Sequence, residues 1–247
     1  MSEFDLDKFE AVIFDLDSTL TNTHRYPIIA IDLFLNESGI KDEQVRNSVL
    51  RNVFTRYTTA IQEIVEEAPF RTATDIVYKS LEDSILEIGE RIDSSILEDA
   101  VQRFKNLHLE MSTPEEGVVE MLEDLMNRER KLGVLTNSFA GHATIILTNL
   151  DLIHYFSSIV DCGDVNAYKP MREPFVKTLR NLDIDVSKSL YVGDEYYADM
   201  VGGKTVGMTT VWINHRQRSL EDLIAKYGPQ MTPDFVLNSI IEFADLI

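Results

Sequence analysis

The sequence of 247 residues has a single cysteine, Cys162, so no intrachain disulfide can form. A metal site built from several cysteine thiolates is excluded for the same reason, and Cys162 is expected to be a small buried side chain. Basic residues are also few: 23 Lys and Arg stand against 42 Asp and Glu, for a formal net charge of −19 at pH 7. Because this charge repels nucleic acids and anionic membranes, neither is predicted as a partner.

Long hydrophobic runs are missing as well. No stretch approaches the roughly 20 apolar residues of a membrane-spanning helix, and the acidic start MSEFDLDKFE does not resemble a secretion signal. We therefore expect a cytoplasmic protein. The content of 44% hydrophobic and 26% charged residues is typical of a soluble globular protein, long enough for one large domain or a core with an insertion.

The most informative stretch is AVIFDLDSTL, residues 11–20. Ala11–Phe14 is an unbroken apolar run, which is typical of a strand buried on both faces. Asp15 and Asp17 follow at once, and because burying charge is costly, the strand is predicted to end there. The carboxyl ends of strands in an open parallel sheet line the ligand crevice, so the two acids predict a cation site, a nucleophile site or both. An ordinary turn or helix cap is the alternative.

Two patterns divide the rest of the chain. Residues 28–110 show helical spacing of apolar side chains without a strand pattern, which indicates an insertion of about four helices. From Thr113 onward, short apolar strands alternate with helices at βαβ lengths, which predicts a parallel sheet. Thr113 and Glu116 are predicted to form a capping box that starts the first helix of this region, with Pro114 in its first turn. We thus expect an α/β core of residues 1–22 and 112–247, and a helical insertion of residues 23–111.

The later core strands are also predicted to end at polar residues: Thr136, Asn137, Lys169, Asp194 and Asp199. Carboxylates suit a hard cation such as Mg²⁺, and a fixed lysine with hydroxyl and amide donors suits phosphoryl oxygens. A carboxylate beside a metal and a lysine is a competent nucleophile. Each signal alone is weak, since a Lys-Pro pair is usually a turn and the GDxxxxD pattern can be a helix start. Their order and their positions at strand ends predict phosphoryl transfer.

The motifs carrying this constellation are Asp15-Leu16-Asp17-Ser18-Thr19, Thr136-Asn137, Lys169-Pro170, and Gly193-Asp194 with Asp199. In this order they resemble the haloacid dehalogenase-like hydrolase superfamily, in its phosphatase branch with a helical, C1-type cap. The resemblance covers nearly the whole core, and it covers residues 23–111 by position and helical character only. It implies a Rossmann-like parallel sheet with an inserted all-helical cap domain. One departure is Ser18, where many relatives have glycine.

The resemblance also implies roles for individual residues. Asp15 would be the nucleophile, and Asp17 the general acid/base, whose backbone carbonyl also binds Mg²⁺. Thr136 and Lys169 would bind the phosphoryl group, to which Asn137 can add a donor. Asp194 would hold the metal with Asp15, and Asp199 would lie behind it or serve as an alternative ligand. The expected protein is a Mg²⁺-dependent hydrolase of small phosphomonoesters, such as phosphoglycolate or a sugar phosphate, that forms an aspartyl phosphate and is a monomer or homodimer.

Several other functions are compatible with parts of this pattern. A 2-haloacid dehalogenase of the same superfamily needs no second acid in the first motif, so Asp17 argues against it. A phosphomutase shares all four motifs and would differ in its products. A phosphoacceptor module also clusters aspartates, a threonine and a lysine, but the length of the chain and the helical insertion argue against it. A binding module that kept the motifs without turnover is the remaining alternative.

Overall fold

The computed structural model describes residues 4–247 and contains two compact units. One unit is formed by the described residues up to Asn22 together with Thr113–Ile247, and the other by Thr23–Ser112. Within the first unit, the two connecting segments are paired: the Asn22 N–H donates to Thr113 O over 2.8 Å, and Thr21 forms an antiparallel bridge with Pro114. The helical unit is therefore inserted between two segments that hydrogen-bond to each other.

The first unit is built on a six-stranded sheet with strand order β3-β2-β1-β4-β5-β6, in which every pairing is parallel. The strands are β1 (Ala11–Phe14), β2 (Lys131–Thr136), β3 (Ser158–Asp161), β4 (Ser189–Gly193), β5 (Thr209–Ile213) and β6 (Phe235–Leu237). All four residues of β1 are buried, because this strand lies at the centre of the sheet. The predicted α/β fold with a parallel Rossmann-like sheet is confirmed.

Seven α-helices belong to this unit among the residues that the structure describes. They are α5 (Val118–Asn127), α6 (His142–Asn149), α7 (Cys162–Val165), α8 (Arg172–Leu182), α9 (Gly202–Val206), α10 (Leu220–Tyr227) and α11 (Ile240–Ala244). A π-helical turn, Tyr196–Val201, leads into α9, which is followed by Gly207 with φ 94°. The side chain of Ser239 caps α11 by accepting from the Glu242 N–H. Cys162 is buried, as expected.

The start of α5 corrects one sequence-based expectation. The predicted capping box of Thr113 and Glu116 does not form, and the helix begins at Val118 after Gly117, which has φ 80°. The Thr113 carbonyl instead accepts from Asn22, and Pro114 pairs with Thr21. The segment around Thr113 is therefore held by the segment that follows β1, and this pairing outweighs its local helix-starting signal.

The second unit contains four helices: α1 (Tyr26–Glu37), α2 (Glu43–Val65), α3 (Ala73–Glu87) and α4 (Ser94–Met111). Their buried faces carry the apolar residues at helical spacing, for example Ile76, Val77 and Leu81 in α3. Thr72 and Asp75 form a reciprocal capping box at the start of α3. No helix of the described residues is long and apolar enough to cross a membrane.

Candidate active site

The candidate site lies at the carboxyl ends of the central strands. Asp15 follows β1, Thr136 ends β2, and Asp194 follows β4. The strands β2 and β4 flank β1 in the sheet. Because the strands are parallel, these residues meet at one edge of the sheet. Lys169 comes from the loop after α7 and reaches the same place, since its Nζ donates to Oδ1 of Asp15 over 2.6 Å.

Lys169 is the centre of a buried hydrogen-bond network. Its Nζ lies 2.6 Å from Asp15 Oδ1 and 2.7 Å from Asp199 Oδ1, and its side chain is 2% exposed. Two further oxygens lie 3.0 Å from the same nitrogen: the Leu135 carbonyl and the Tyr191 hydroxyl. An ammonium can be buried only when its charge and its donors are matched. Two carboxylates and two neutral oxygens provide that match here.

Burial, and then the neighbouring charges, shift the pKa values of the acids at the site. Burial raises the pKa of Asp15 well above its usual value, Lys169 opposes the change, and Asp199 and Asp194 reinforce it. Burial likewise raises the pKa of Asp194, with Glu195 adding to the effect. For Lys169, burial alone would lower the pKa, but Asp15 and Asp199 outweigh it and raise the pKa well above its usual value. The site therefore favours any additional positive charge.

Asp199 is the most enclosed of the three acids. Its Oδ1 accepts from Lys169 and, over 3.1 Å, from Tyr191, while its Oδ2 accepts from the Glu195 N–H over 2.9 Å. Gly193 makes this approach possible, because a Cβ there would lie 2.4 Å from Oδ2 of Asp199. Both oxygens of Asp199 are thus engaged by protein groups.

The two predicted phosphate-binding residues at the end of β2, Thr136 and Asn137, differ in their surroundings. Thr136 is buried, and its hydroxyl accepts from the Ser138 N–H over 3.2 Å, which leaves the hydroxyl proton to donate elsewhere. The side chain of Asn137 instead binds the backbone of Lys169, accepting from its N–H over 2.8 Å and donating to its carbonyl over 3.0 Å. Asn137 therefore fixes the loop that carries Lys169, and its side-chain groups are used for that purpose.

The first motif turns sharply after Asp15. Asp17 is half-buried, and Ser18 has φ 62°, the left-handed region that favours glycine. The Ser18 N–H donates to the Thr21 carbonyl over 2.8 Å, which closes the turn. The departure from glycine at this position therefore leaves the turn in place, with serine in a conformation that costs backbone energy.

A comparison with known protein families decides the affiliation. The family model for haloacid dehalogenase-like hydrolases matches residues 12–213, a span that contains every site residue named above. The chain belongs to the haloacid dehalogenase-like hydrolase family. This hydrolase therefore carries its family's motifs on the sheet that brings them together.

The individual proteins that match this hydrolase have low sequence identity to it. Pyrophosphatase PpaX of Bacillus cereus (strain Q1) is 27% identical over 244 residues, which cover 97% of each chain. Among solved structures, HAD-hydrolase YfnB from Bacillus subtilis bound to magnesium aligns with a TM-score of 0.77 and 19% identity, over 96% of this chain and 98% of the other. L-2-haloacid dehalogenase from Xanthobacter autotrophicus aligns with a TM-score of 0.72 and 16% identity, over 96% and 98%. At these low identities, the two structural similarities show a shared fold and nothing about activity.

Sequence reasoning missed three residues of the site in this hydrolase. Tyr191 reads as an ordinary apolar strand residue, yet its hydroxyl contacts Lys169 and Asp199. His215 and Arg216 follow β5 and bind Asp194, each over 3.1 Å. The signal that could have found the last two is their position directly after a strand, where the other site residues also stand. Burial lowers the pKa of His215, and the neighbouring Arg216 lowers it further.

The donor set fits a divalent cation. Among the described residues, one group of three acids could hold a metal ion: Asp15, Asp194 and Asp199, with one oxygen of each within 4.8 Å of the others. Carboxylate oxygens are the ligands that hard cations such as Mg²⁺ prefer. Glu195 adds a fourth carboxylate beside them, and three cations contact these four acids: Lys169, Arg216 and Arg218. The carboxylates still outnumber the cations, so the group keeps a formal negative charge.

Proposed function

We propose that this hydrolase is a Mg²⁺-dependent phosphatase that cleaves small phosphomonoesters through a phosphoryl group carried by Asp15. The observation that supports this most strongly is the buried contact of Lys169 Nζ with Asp15 Oδ1, at 2.6 Å, beside the carboxylate of Asp194. Phosphoryl transfer needs a nucleophile held among positive charges that also stabilise the phosphoryl oxygens. Lys169 and a cation on Asp194 would provide those charges on either side of Asp15.

In the proposed reaction, a carboxylate oxygen of Asp15 attacks phosphorus. A bond forms between that oxygen and phosphorus, the bond from phosphorus to the leaving oxygen breaks, and Asp17 gives the leaving oxygen a proton. Water then attacks the same phosphorus and loses a proton to Asp17. The bond to Asp15 breaks, which releases inorganic phosphate and regenerates the carboxylate.

The remaining residues are proposed to bind and orient. Lys169 and the hydroxyl of Thr136 would bind phosphoryl oxygens, and Asn137 would add its backbone N–H, since its side chain is used on the Lys169 backbone. Asp15, Asp194 and the backbone carbonyl of Asp17 would hold Mg²⁺, which offsets the charge of the phosphoryl oxygens when it is bound. Asp199, with both oxygens already engaged, would lie behind these ligands and fix Lys169.

The helical unit is proposed to select the substrate as a cap domain. The connection to it leaves the core unit after Asn22, a few residues beyond Asp17, and returns at Thr113. An insertion joined so close to the catalytic motif suits a lid that excludes water from the reaction. Substitutions in this unit should then change the ranking of substrates more than the hydrolysis of a small aryl phosphate.

A phosphoanhydride is a second candidate substrate, because relatives that match nearly the whole chain are named pyrophosphatase. Pyrophosphate would use the same residues, with phosphate as the leaving group. Cleavage of a carbon–halogen bond is disfavoured, since a halide needs neither a proton donor such as Asp17 nor a cation for phosphoryl charge. Pyrophosphate and a 2-haloacid therefore belong in the test.

The decisive experiment measures turnover of p-nitrophenyl phosphate, small sugar phosphates, phosphoglycolate, pyrophosphate and 2-chloropropionate. We expect phosphate release that requires Mg²⁺, stops with a chelator and is inhibited by Ca²⁺, whose looser coordination misplaces the nucleophile. Asp15→Asn should be inactive on every phosphate, and Asp124→Asn, on the surface of α5, serves as the matched control. Full activity in excess chelator, or an active Asp15→Asn enzyme, would refute the proposal.

A further inference from the structure

The loop after β5 places a histidine and an arginine against one oxygen of Asp194. His215 Nε2 and Arg216 Nη2 each lie 3.1 Å from Asp194 Oδ2. The side chain of Asp194 is 2% exposed, whereas those of His215 and Arg216 are 32% and 41% exposed. Two partly exposed residues of a single neighbouring loop thus contact the buried carboxylate.

The backbone of Asp194 is held by β5, the strand that this loop follows. Trp212 of β5 donates its Nε1–H to the Asp194 carbonyl over 2.9 Å. Arg216 is itself fixed by Glu195, and Arg218 lies 3.3 Å from the other oxygen of Glu195. Both the position and the rotation of the Asp194 carboxylate are therefore determined by groups on or directly after β5.

The two oxygens of Asp194 are consequently different. Oδ2 is hydrogen-bonded to His215 and forms an ion pair with Arg216, whereas no hydrogen bond or ion pair joins Oδ1 to any of residues 4–247. An ionised carboxylate can only accept, so the imidazole must present an N–H to Oδ2. The oxygen left without a protein donor is the one available to a metal ion.

We propose that His215 and Arg216 are positioning residues that hold Oδ2 of Asp194 and thereby turn Oδ1 toward the bound divalent cation. The inference rests on the metal site described under Proposed function, but not on the reaction performed there. Groups that orient a metal ligand typically contribute about 10- to 100-fold in metal affinity or activity. Arg216 also adds a positive charge beside the cation, so its loss has two opposing effects on metal binding.

The test measures Mn²⁺ binding to the substrate-free protein, from the electron paramagnetic resonance signal of unbound Mn²⁺. His215→Ala should weaken binding by about 10- to 100-fold. His215→Gln, whose side-chain amide can donate to the same oxygen, should restore most of the affinity. His154→Ala is the matched control, because His154 is an exposed histidine that contacts Asp151 at 3.9 Å. Wild-type affinity in His215→Ala, or a wild-type protein that binds no Mn²⁺, would overturn the proposal.

Arg216→Ala separates orientation from charge, with Arg180→Ala on the exposed face of α8 as its control. Removing Arg216 loses an ion-pair partner of Asp194 but also relieves repulsion of the cation, so the Mn²⁺ affinity of this variant should fall between those of wild type and His215→Ala. Binding at or above the wild-type affinity would mean that Arg216 competes with the metal, which refutes its positioning role. A protein that binds Mn²⁺ as expected but hydrolyses no phosphate would refute the proposed function and leave this inference standing.

Discussion

Lys169 Nζ lies 2.6 Å from Asp15 Oδ1, in a contact where the two side chains are 2% and 8% exposed. Burying such a pair is favourable only when the remaining donors and lone pairs also find partners. Asp199, Tyr191 and the Leu135 carbonyl supply them for Lys169. The position of the ammonium beside Asp15 therefore depends on the whole network, so removing another member of the network should affect Lys169.

The hydroxyl of Tyr191 is the first target. Tyr191→Phe removes an oxygen that lies 3.0 Å from Lys169 Nζ and 3.1 Å from Asp199 Oδ1. We expect a loss of about 1–3 kcal/mol in the free energy of unfolding, because buried partners are left unsatisfied. We also expect kcat/KM to fall by about tenfold, since a loosened Lys169 corresponds to about 1.4 kcal/mol of transition-state stabilisation. Urea denaturation and steady-state kinetics measure the two effects.

Tyr196→Phe is the control for this variant. Tyr196 is also buried, and its hydroxyl donates to the Met231 carbonyl over 3.0 Å, away from Lys169. Its loss should reduce stability while kcat/KM stays at the wild-type value. Equal kinetic effects of the two variants would show that the Tyr191 hydroxyl has no specific connection to the site.

Asn137 provides the second prediction, and it distinguishes two roles for one residue. Asn137→Ala removes two hydrogen bonds to the Lys169 backbone, at 2.8 and 3.0 Å. We expect a loss of about 1–3 kcal/mol in stability, from about 0.5–1.5 kcal/mol for each bond, together with a lower kcat. A side chain that bound phosphate directly would instead raise the inhibition constant of inorganic phosphate at nearly unchanged stability. Asn181→Ala, which removes one bond to Ser158, is the matched control.

The sequence was sufficient for the parts of the fold that depend on local pattern. Apolar runs followed by acids identify β1 and β4, and helical spacing identifies α2 and α3, because burial imposes these periods directly. The helix α10 was not predicted, although the Ser219 side chain caps it by accepting from the Asp222 N–H. The predicted start of α5 at Thr113 was wrong because Thr21 and Asn22 pair with that segment, and a contact so distant in sequence leaves no local signal.

The candidate site shows the same difference between local patterns, which the sequence reveals, and contacts between distant segments, which it does not. Asp15, Asp194 and Lys169 could be named because each follows a predicted strand, and the parallel sheet brings them together. His215 and Arg216 follow a strand too, but their contact with Asp194 requires β5 to lie beside β4, and the order of strands cannot be deduced from alternation. The catalytic roles of the named residues stay predictions until the variants are measured.

The third prediction concerns pH and metal binding. Burial raises the pKa of Asp15 and of Asp194 above the usual 3.8, so the metal-free folded protein binds protons that the unfolded chain releases. Their stabilising contribution is fully present below about pH 4 and is lost as pH rises through the raised pKa values. Mg²⁺ requires ionised carboxylates, so it should raise Tm more at about pH 8 than at about pH 5. Thermal unfolding with Mg²⁺ and with chelator measures this difference.

Asp15→Asn is the informative variant in that experiment. It removes one of the titrating acids, so the Mg²⁺-induced change in Tm should be smaller and should vary less with pH. Asp124→Asn, at a partly exposed residue of α5 paired with Arg128, should behave as wild type. A Tm increase from Mg²⁺ that is the same at both pH values in the wild-type protein would contradict metal binding at these carboxylates.

The last prediction separates the two acids of the first motif. Asp17→Asn keeps the nucleophile Asp15 but can neither give a proton to the leaving oxygen nor take one from water. Hydrolysis of an alkyl phosphate should fall by about 100- to 10,000-fold, the range of general acid/base catalysis. An aryl phosphate has a leaving group that needs little protonation, so its first step should partly survive while hydrolysis of the phosphoenzyme stalls. Quenched mass spectrometry should then find phosphate on Asp15 in Asp17→Asn and none in Asp15→Asn. Wild-type turnover of an alkyl phosphate by Asp17→Asn, or phosphate on a residue other than Asp15, would show that the assigned roles are wrong.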